Sequence, residues 1–270
     1  MLAPWVISHF PAHRVYTEAW GGAGSVLMRK PRAKLVEVYN DLDGEVVGLF
    51  RLLRDPIQAA ELARQLALTP FARDEFVESY VPASGIEQAR RTIIRSFMGF
   101  GSDSASGAVT GFRANGNRQT AHPAKDWGNY PAAITSFCER LTGVVIENRP
   151  AMEIVRQHDG PQTLHYCDPP YVHETRSSAV CRIGKGYRHE MGEQDHRDMA
   201  TVLRACVGMV VLSGYASPLY DELFSDWKKA VRPALADGGL ARTEVLWMNR
   251  AAVEGLARST GQTKLFAEVS

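Results

Sequence analysis

Asp168-Pro169-Pro170-Tyr171 holds three chemical tools in four residues. A carboxylate and a proline carbonyl side by side offer two acceptors to one exocyclic NH2 group. Hydrogen bonds to both protons draw the nitrogen lone pair out of conjugation with its ring, so that it can attack an electrophile. The tyrosine supplies a flat face on which an extruded base can stack. Two prolines stop strand pairing and fix an extended turn. The preceding run, Thr163-Leu164-His165-Tyr166-Cys167, reads as a strand, which puts the acid and the ring just past its carboxyl end. Ligand chemistry in open α/β sheets sits there. By chance such a tetrapeptide arises in a chain of this length roughly once in a thousand.

A second group lies near the start, Glu18-Ala19-Trp20-Gly21-Gly22-Ala23-Gly24. Glycines let a ligand approach the backbone where a Cβ would block it. Tight packing alone would account for them equally well. Their weight comes from Asp41, at the end of the next strand, where an acid can accept hydrogen bonds from a ribose diol. No Gly-x-x-x-x-Gly-Lys run is present to hold a triphosphate. The pair therefore suits a nucleoside ligand with no phosphate to bind.

These groups need strands and turns to position them. Residues 4–10 read as a short helix, 15–20 as a strand, 25–30 as a short helix after the glycine turn, 34–39 as a second strand and 45–54 as a helix. This order opens a nucleotide-binding α/β unit. Residues 56–68, 70–80 and 86–97 look helical, and 99–130 forms a long Gly, Ser, Asn and Arg-rich loop. Loops of that length are uncommon unless functional. Helix 134–141, strands at 144–146 and 164–167, helix 194–206 and strands at 207–213 and 244–248 complete the pattern, with a polar, peripheral tail from Asn249. The expected architecture is a Rossmann-like α/β fold, a mixed, mostly parallel sheet with helices on both faces. Residues 1–54 and 134–270 form the catalytic domain, and 55–133 an inserted, mainly helical recognition module.

Between Arg90 and Arg118 the insert carries five arginines and one acid, Asp103, interleaved with Phe97, Phe100 and Phe112. Cations bind phosphates and read guanine edges, and aromatics wedge or stack bases. Arg95, Phe112, Arg113, Asn115 and Arg118 are the candidate DNA contacts, although Arg90, Arg91 and Arg95 by themselves fit a solvated helix face. The segment from Arg176 to His189 contains Arg176, Arg182, Lys185 and Arg188. It fits a basic flap that orders on DNA, with Arg176 and Arg188 as contacts, or an ordinary exposed loop.

The residues together resemble the D12 class of adenine-N6 DNA methyltransferases, the Dam-like group. The family's Phe-x-Gly-x-Gly is matched by Trp20 to Gly24, its strand-end acid by Asp41, and its catalytic Asp-Pro-Pro-Tyr by Asp168 to Tyr171. A later strand resembles Val211-Leu212-Ser213-Gly214-Tyr215, and the closing strand Glu244 to Asn249. The likeness runs from Leu2 to about Asn249. It implies S-adenosylmethionine as cofactor, with Glu18 and the turn Trp20-Gly21-Gly22-Ala23-Gly24 near its methionine part, Asp41 on its ribose and Asn148 bordering its adenine. It implies direct transfer to adenine N6 in double-stranded DNA with base flipping, and no metal. Relatives carry a Gly-Gly-Lys motif before the first helix. Here Met1-Leu2 begins where that motif has passed, which leads one to expect an upstream start or weaker cofactor binding.

Composition sets the bounds. The chain has 270 residues and a net charge of +1, long enough for one large domain with an insertion. No apolar run approaches the roughly 20 residues that span a bilayer, so no membrane partner is expected. Cys138, Cys167, Cys181 and Cys206 form no Cys-x-x-Cys pair, which favours reduced thiols in a cytoplasmic protein over disulfides or zinc. The histidines show no metal-ligand spacing, and His165 reads as a satisfied core residue. A monomer would suffice. The open alternatives are cytosine N4 or RNA adenine as acceptor, separable by digesting a labelled product to nucleosides, and a non-catalytic DNA-binding relative, separable by the heat of cofactor binding.

Overall fold

The computed structural model describes residues 2–99, 110–113, 123–172, 190–235 and 241–267. These fall into two compact units. The first takes in residues up to 42, then 143–172, and from 191 onward; the second takes in 43–142.

The first unit is built on a seven-stranded sheet. Its strands are β1 (Val15–Glu18), β2 (Val36–Asn40), β3 (Val144–Glu147), β4 (Thr163–Cys167), β5 (Met209–Tyr215), β6 (Lys228–Leu235) and β7 (Ala241–Met248), in the order β3-β2-β1-β4-β5-β7-β6. The first five run parallel where they pair. β7 is antiparallel between β5 and β6. Every residue of β4 is buried, as expected of a central parallel strand covered on both faces. The fold is the expected α/β architecture with a mixed, mostly parallel sheet.

Register decides what each sheet face carries. Thr17 pairs with Val38 and His165, and His165 with Val210, so these share one face. There Ala19, Val38, Cys167, Val210, Leu212 and Trp247 form an apolar core. They pack under α7 (Ala151–His158), α8 (Glu193–Ala205) and α9 (Pro218–Leu223). Tyr16 pairs with Glu37, and Glu18 with Tyr39 and Tyr166, so the opposite face is lined with hydroxyls and carboxyls. α1 (Ala3–Ile7) opens the chain, and α10 (Arg250–Ala267) closes it. α10 lies against this second face, where a Cβ at Gly255 would stand 2.8 Å from Pro11 and 3.1 Å from Met209.

The second unit is helical, with α2 (Gly44–Leu52), α3 (Pro56–Leu68), α4 (Arg73–Glu78), α5 (Gly85–Met98) and α6 (Pro123–Leu141). Its bounds differ from the expected 55–133. α2 packs on α5, where Gln88 donates to Glu45 at 3.0 Å, and α6 is continuous to Leu141.

Several local expectations are corrected. Residues 25–30 form consecutive turns and no helix; Met28 and Lys30 donate back to Gly24 and Val26 at 2.9 Å, and Pro31 cannot extend the ladder. Residues 123–130, expected in a loop, begin α6, fixed by Trp127, whose indole donates to the Thr69 carbonyl at 2.7 Å. The tail beyond Asn249 is α10. The Asn249 side chain caps it, accepting from Ala252 at 2.9 Å, and accepts from Val210 at 3.0 Å as well. α7, α9 and β6 had no counterpart in the sequence pattern.

Candidate active site

β1, β2 and β4 lie side by side, and three acids sit at their carboxyl ends. Glu18 ends β1, Asp41 follows β2 and Asp168 follows β4. The register that pairs Glu18 with both Tyr39 and Tyr166 sets these ends level. Adjacent strand ends therefore bring together residues separated by more than a hundred positions.

The glycine turn hangs between β1 and β2. Gly21 donates to Asn40 O at 2.8 Å, and Gly24 to Gly21 O at 2.7 Å. Asp41 accepts from the Gly22 amide at 2.7 Å, and the Tyr39 hydroxyl donates to Gly22 O at 2.6 Å. Gly22 has φ of +47° and open space where a Cβ would project. Trp20 packs against the apolar core, and Ala23 is exposed. Asn148 donates its amide to the main-chain carbonyls of Asp41 and Leu42, at 2.8 and 3.1 Å. Asn40 joins three strand ends, donating to Ala19 O at 2.8 Å and Arg149 O at 3.0 Å.

Beneath the turn runs a buried polar chain. The Tyr16 hydroxyl donates to Glu18 Oε2 at 2.6 Å. Lys30 Nζ lies over the Tyr16 ring, 4.3 Å from its centroid, and pairs with Glu37 at 2.5 Å. Burial pushes the Glu18 carboxyl up to about 8 against the Tyr16 and Leu27 hydrogen bonds, and Asp168 adds to the rise. Phe10 packs between Tyr16 and Tyr166, with centroids 5.8 and 5.6 Å away.

Asp168 is likewise raised, to about 6, by burial, with the hydroxyls of Tyr171, Tyr166 and Ser213 partly offsetting it. Its Oδ1 is buried without a hydrogen-bond partner among the described residues. Pro169 is buried and Pro170 half-buried. The Tyr171 ring stands 4.5 Å from that of Tyr215, at the end of β5, tilted by 54°.

This geometry is that of an open α/β sheet whose strand ends converge on one carboxylate with an unused acceptor. The chain matches the family model of the D12 class N6 adenine-specific DNA methyltransferases over residues 1–235. It belongs to that family. Comparison with curated proteins gives no match. As a D12-class methyltransferase it transfers a methyl group from S-adenosylmethionine to N6 of adenine in DNA.

The residues present fit that cofactor. Glu18 is a buried carboxyl that a positive charge would partner, and Gly22 leaves open space beside the backbone where a ligand could approach. Tyr16, Lys30 and Tyr166 were not among the expected site residues, and Ser213 and Tyr215 stood only in a later strand that resembles the family's. Their signal was the spacing of two that puts Tyr16 with Glu18, and Ser213 with Tyr215, on one sheet face.

The candidate DNA contacts fare differently in the second unit. Arg95 is buried, donating to Ser79 O at 2.7 Å and pairing with Glu45. Its guanidinium lies inside the second unit and not at its surface. Arg90 pairs with Glu75 and Glu87, and Arg91 with Glu78 and Glu87, so neither forms a simple solvated face. Phe112 is half-buried against Phe71 and Phe76, with centroids 5.1 and 5.7 Å away. Arg113 donates to Phe97 O at 3.1 Å. Asn115, Arg118, Arg176 and Arg188 lie outside the described residues.

Among the described residues, one set could hold a metal, Asp159, His165 and Cys206, with ligand atoms within 4.8 Å of one another. Its donors already have work. Asp159 accepts from the Val207 and Gly208 amides, each at 2.9 Å. His165 meets Thr17 Oγ1 at 2.7 Å and Asp159 at 3.3 Å, and burial lowers its pKa. It is a satisfied core histidine tying the strand starts together. No described helix is long and apolar enough to cross a membrane.

Proposed function

We propose that the corner after β4 is the methyl-transfer centre. Asp168 and the Pro169 carbonyl accept the two N6 protons of an adenine flipped out of the duplex, and Tyr171 gives its ring as the stacking surface. One observation carries this reading. Asp168 Oδ1 is buried at the end of a central strand with no donor among the described residues, and a stranded buried acceptor costs about 1–3 kcal/mol. A substrate amine supplies the missing donor.

S-adenosylmethionine, when bound, supplies an electrophilic methyl carbon, and its sulfur keeps the electron pair of the bond that breaks. Asp168 and Pro169 hold the amine so that its lone pair faces that carbon. The Asp168 carboxyl, near 6, is ionised at neutral pH and basic enough to take the proton the nitrogen then gives up. The diproline turn fixes both acceptors, so most of the acceleration is positioning in a site that excludes water.

The cofactor lies along the ends of β1 and β2 in this reading. Glu18 and the turn Trp20 to Gly24 border its methionine part. Asp41 serves the ribose and also braces the turn through the Gly22 amide. Asn148 acts by fixing the Asp41–Leu42 backbone. The second unit is the target-recognition module, with Phe112 and Arg113 as its candidate contacts among the described residues.

Asp168→Ala tests the assignment. Transfer of labelled methyl to DNA should be lost, with calorimetry showing cofactor affinity within a few-fold of wild type. Label found in N6-methyladenine at the wild-type rate would reject the role of Asp168. Loss of cofactor binding or of the fold would make Asp168 structural.

A further inference from the structure

The face of the sheet beneath the glycine turn holds more acid than the nearby cation can serve. Glu18 is 2% exposed. It receives the Tyr16 hydroxyl at 2.6 Å and the Leu27 amide. The cation that acts on it, Lys30, has its ammonium on Glu37 Oε1 at 2.5 Å and Pro31 O at 2.7 Å. Lys30 is therefore committed one strand away, across the Tyr16 ring. Asp168 opposes ionisation of Glu18 from the end of β4, and Tyr166 occupies the paired position on that strand. Glu18 thus faces one hydroxyl, one amide, a second acid and a cation already neutralised.

We infer that Glu18 carries a proton in the free protein and gives it up when the positively charged cofactor binds, so that its carboxylate favours the sulfonium cofactor over the uncharged-sulfur product. This rests on the reading above that the ends of β1 and β2 take the cofactor. A buried carboxylate is costly unless a charge partners it. The sulfonium supplies that charge, and the methyl group carries it away when it leaves. The product then faces a carboxylate with no partner, the proton returns to Glu18, and the attraction is lost. The pocket distinguishes substrate cofactor from spent cofactor by charge, although the two differ by one methyl group.

Titration calorimetry with S-adenosylmethionine, in buffers of different ionisation heat, tests this. Near pH 7 the wild type should release about one proton per cofactor bound, and affinity should rise close to tenfold per pH unit up to about pH 8. S-adenosylhomocysteine should bind with little proton release and a flatter profile. Glu18→Gln keeps the side chain's shape and should remove both the release and the preference, while still binding S-adenosylhomocysteine. That binding, with an unchanged circular dichroism spectrum, shows the variant is folded. Proton release that persists in Glu18→Gln, or a wild-type preference independent of pH, overturns the inference. If only the linkage fails while Asp168→Ala still loses transfer, the catalytic reading stands. Normal transfer by Asp168→Ala would sink that reading whatever Glu18 does.

Discussion

The Tyr39 ring occupies the space that a Cβ at Gly21 would need, with Cε2 2.2 Å from the ideal position. The next residue has a different reason to be glycine. Gly22 meets nothing within 4 Å but holds φ at +47°, a conformation that L side chains rarely adopt. One glycine admits a core ring, and its neighbour shapes the turn that Asp41 braces. Gly21→Ala should therefore destabilise the fold by about 1–3 kcal/mol through overpacking. The penalty should shrink in a Tyr39→Ala background. Thermal melts of the four proteins of this double-mutant cycle give the coupling. Equal penalties in both backgrounds would contradict the steric account.

The ionisation of Asp168 sets a pH limit on transfer. The carboxylate is the form that accepts from the amine, and its conjugate acid accumulates below about pH 6. Single-turnover rates should fall about tenfold per unit below that value. A rate flat down to pH 5 would show that the ionised form is not required. Asp168→Asn, similar in size but presenting an NH2 to the substrate amine, should lose about a hundredfold or more above about pH 7, and the gap to wild type should narrow as pH falls below about 6.

Glu18 makes the fold sensitive to alkali. Its folded pKa, about 8, lies above the ordinary value of 4.5, so the protonated form is the one folding favours. That stabilisation is complete below about 4.5 and is lost as pH rises to about 8. Glu18→Gln has no charge to bury. It should melt above wild type at pH 8.5, by a margin that narrows toward pH 5. A variant that melts lower at both pH values would mean that the Tyr16 hydrogen bond outweighs the charge.

Tyr171 and Tyr215 form the aromatic wall beside Asp168, with centroids 4.5 Å apart. Base stacking on an aromatic side chain is worth about 1–3 kcal/mol. Tyr171→Ala should therefore weaken capture of the flipped base by about 5- to 150-fold, while Tyr171→Phe stays near wild type. Tyr215→Ala should give a smaller loss, since Tyr215 steadies the Tyr171 ring. The fluorescence of 2-aminopurine at the target position reads base extrusion directly. No change for Tyr171→Ala would remove the ring from the base pocket.

The acids at the strand ends were legible in the sequence because their signals are local. A strand followed by Gly-Gly, by Asn-Asp or by Asp-Pro-Pro announces its own carboxyl end, and parallel pairing sets such ends level. What lay between the strands was not legible. The chain from Glu37 through Lys30 and Tyr16 to Glu18 depends on the β1–β2 register, which no short segment encodes. The arginines of α5 suggested DNA contacts because three of their partners, Glu45, Glu75 and Glu78, lie on other helices, and only Glu87 is on α5 itself. α10 was hidden because its cap, Asn249, also serves β5, so a residue read as the end of a strand begins a helix.

The central claim is that Asp168 and Pro169 hold the reacting amine. A crystal structure with duplex DNA carrying the target site and the unreactive amine analogue sinefungin tests it most directly. An extruded adenine should lie on Tyr171, with N6 within hydrogen-bonding distance of both Asp168 Oδ1 and Pro169 O. A flipped adenine whose N6 meets other groups, with Asp168 Oδ1 still unpaired, would contradict it.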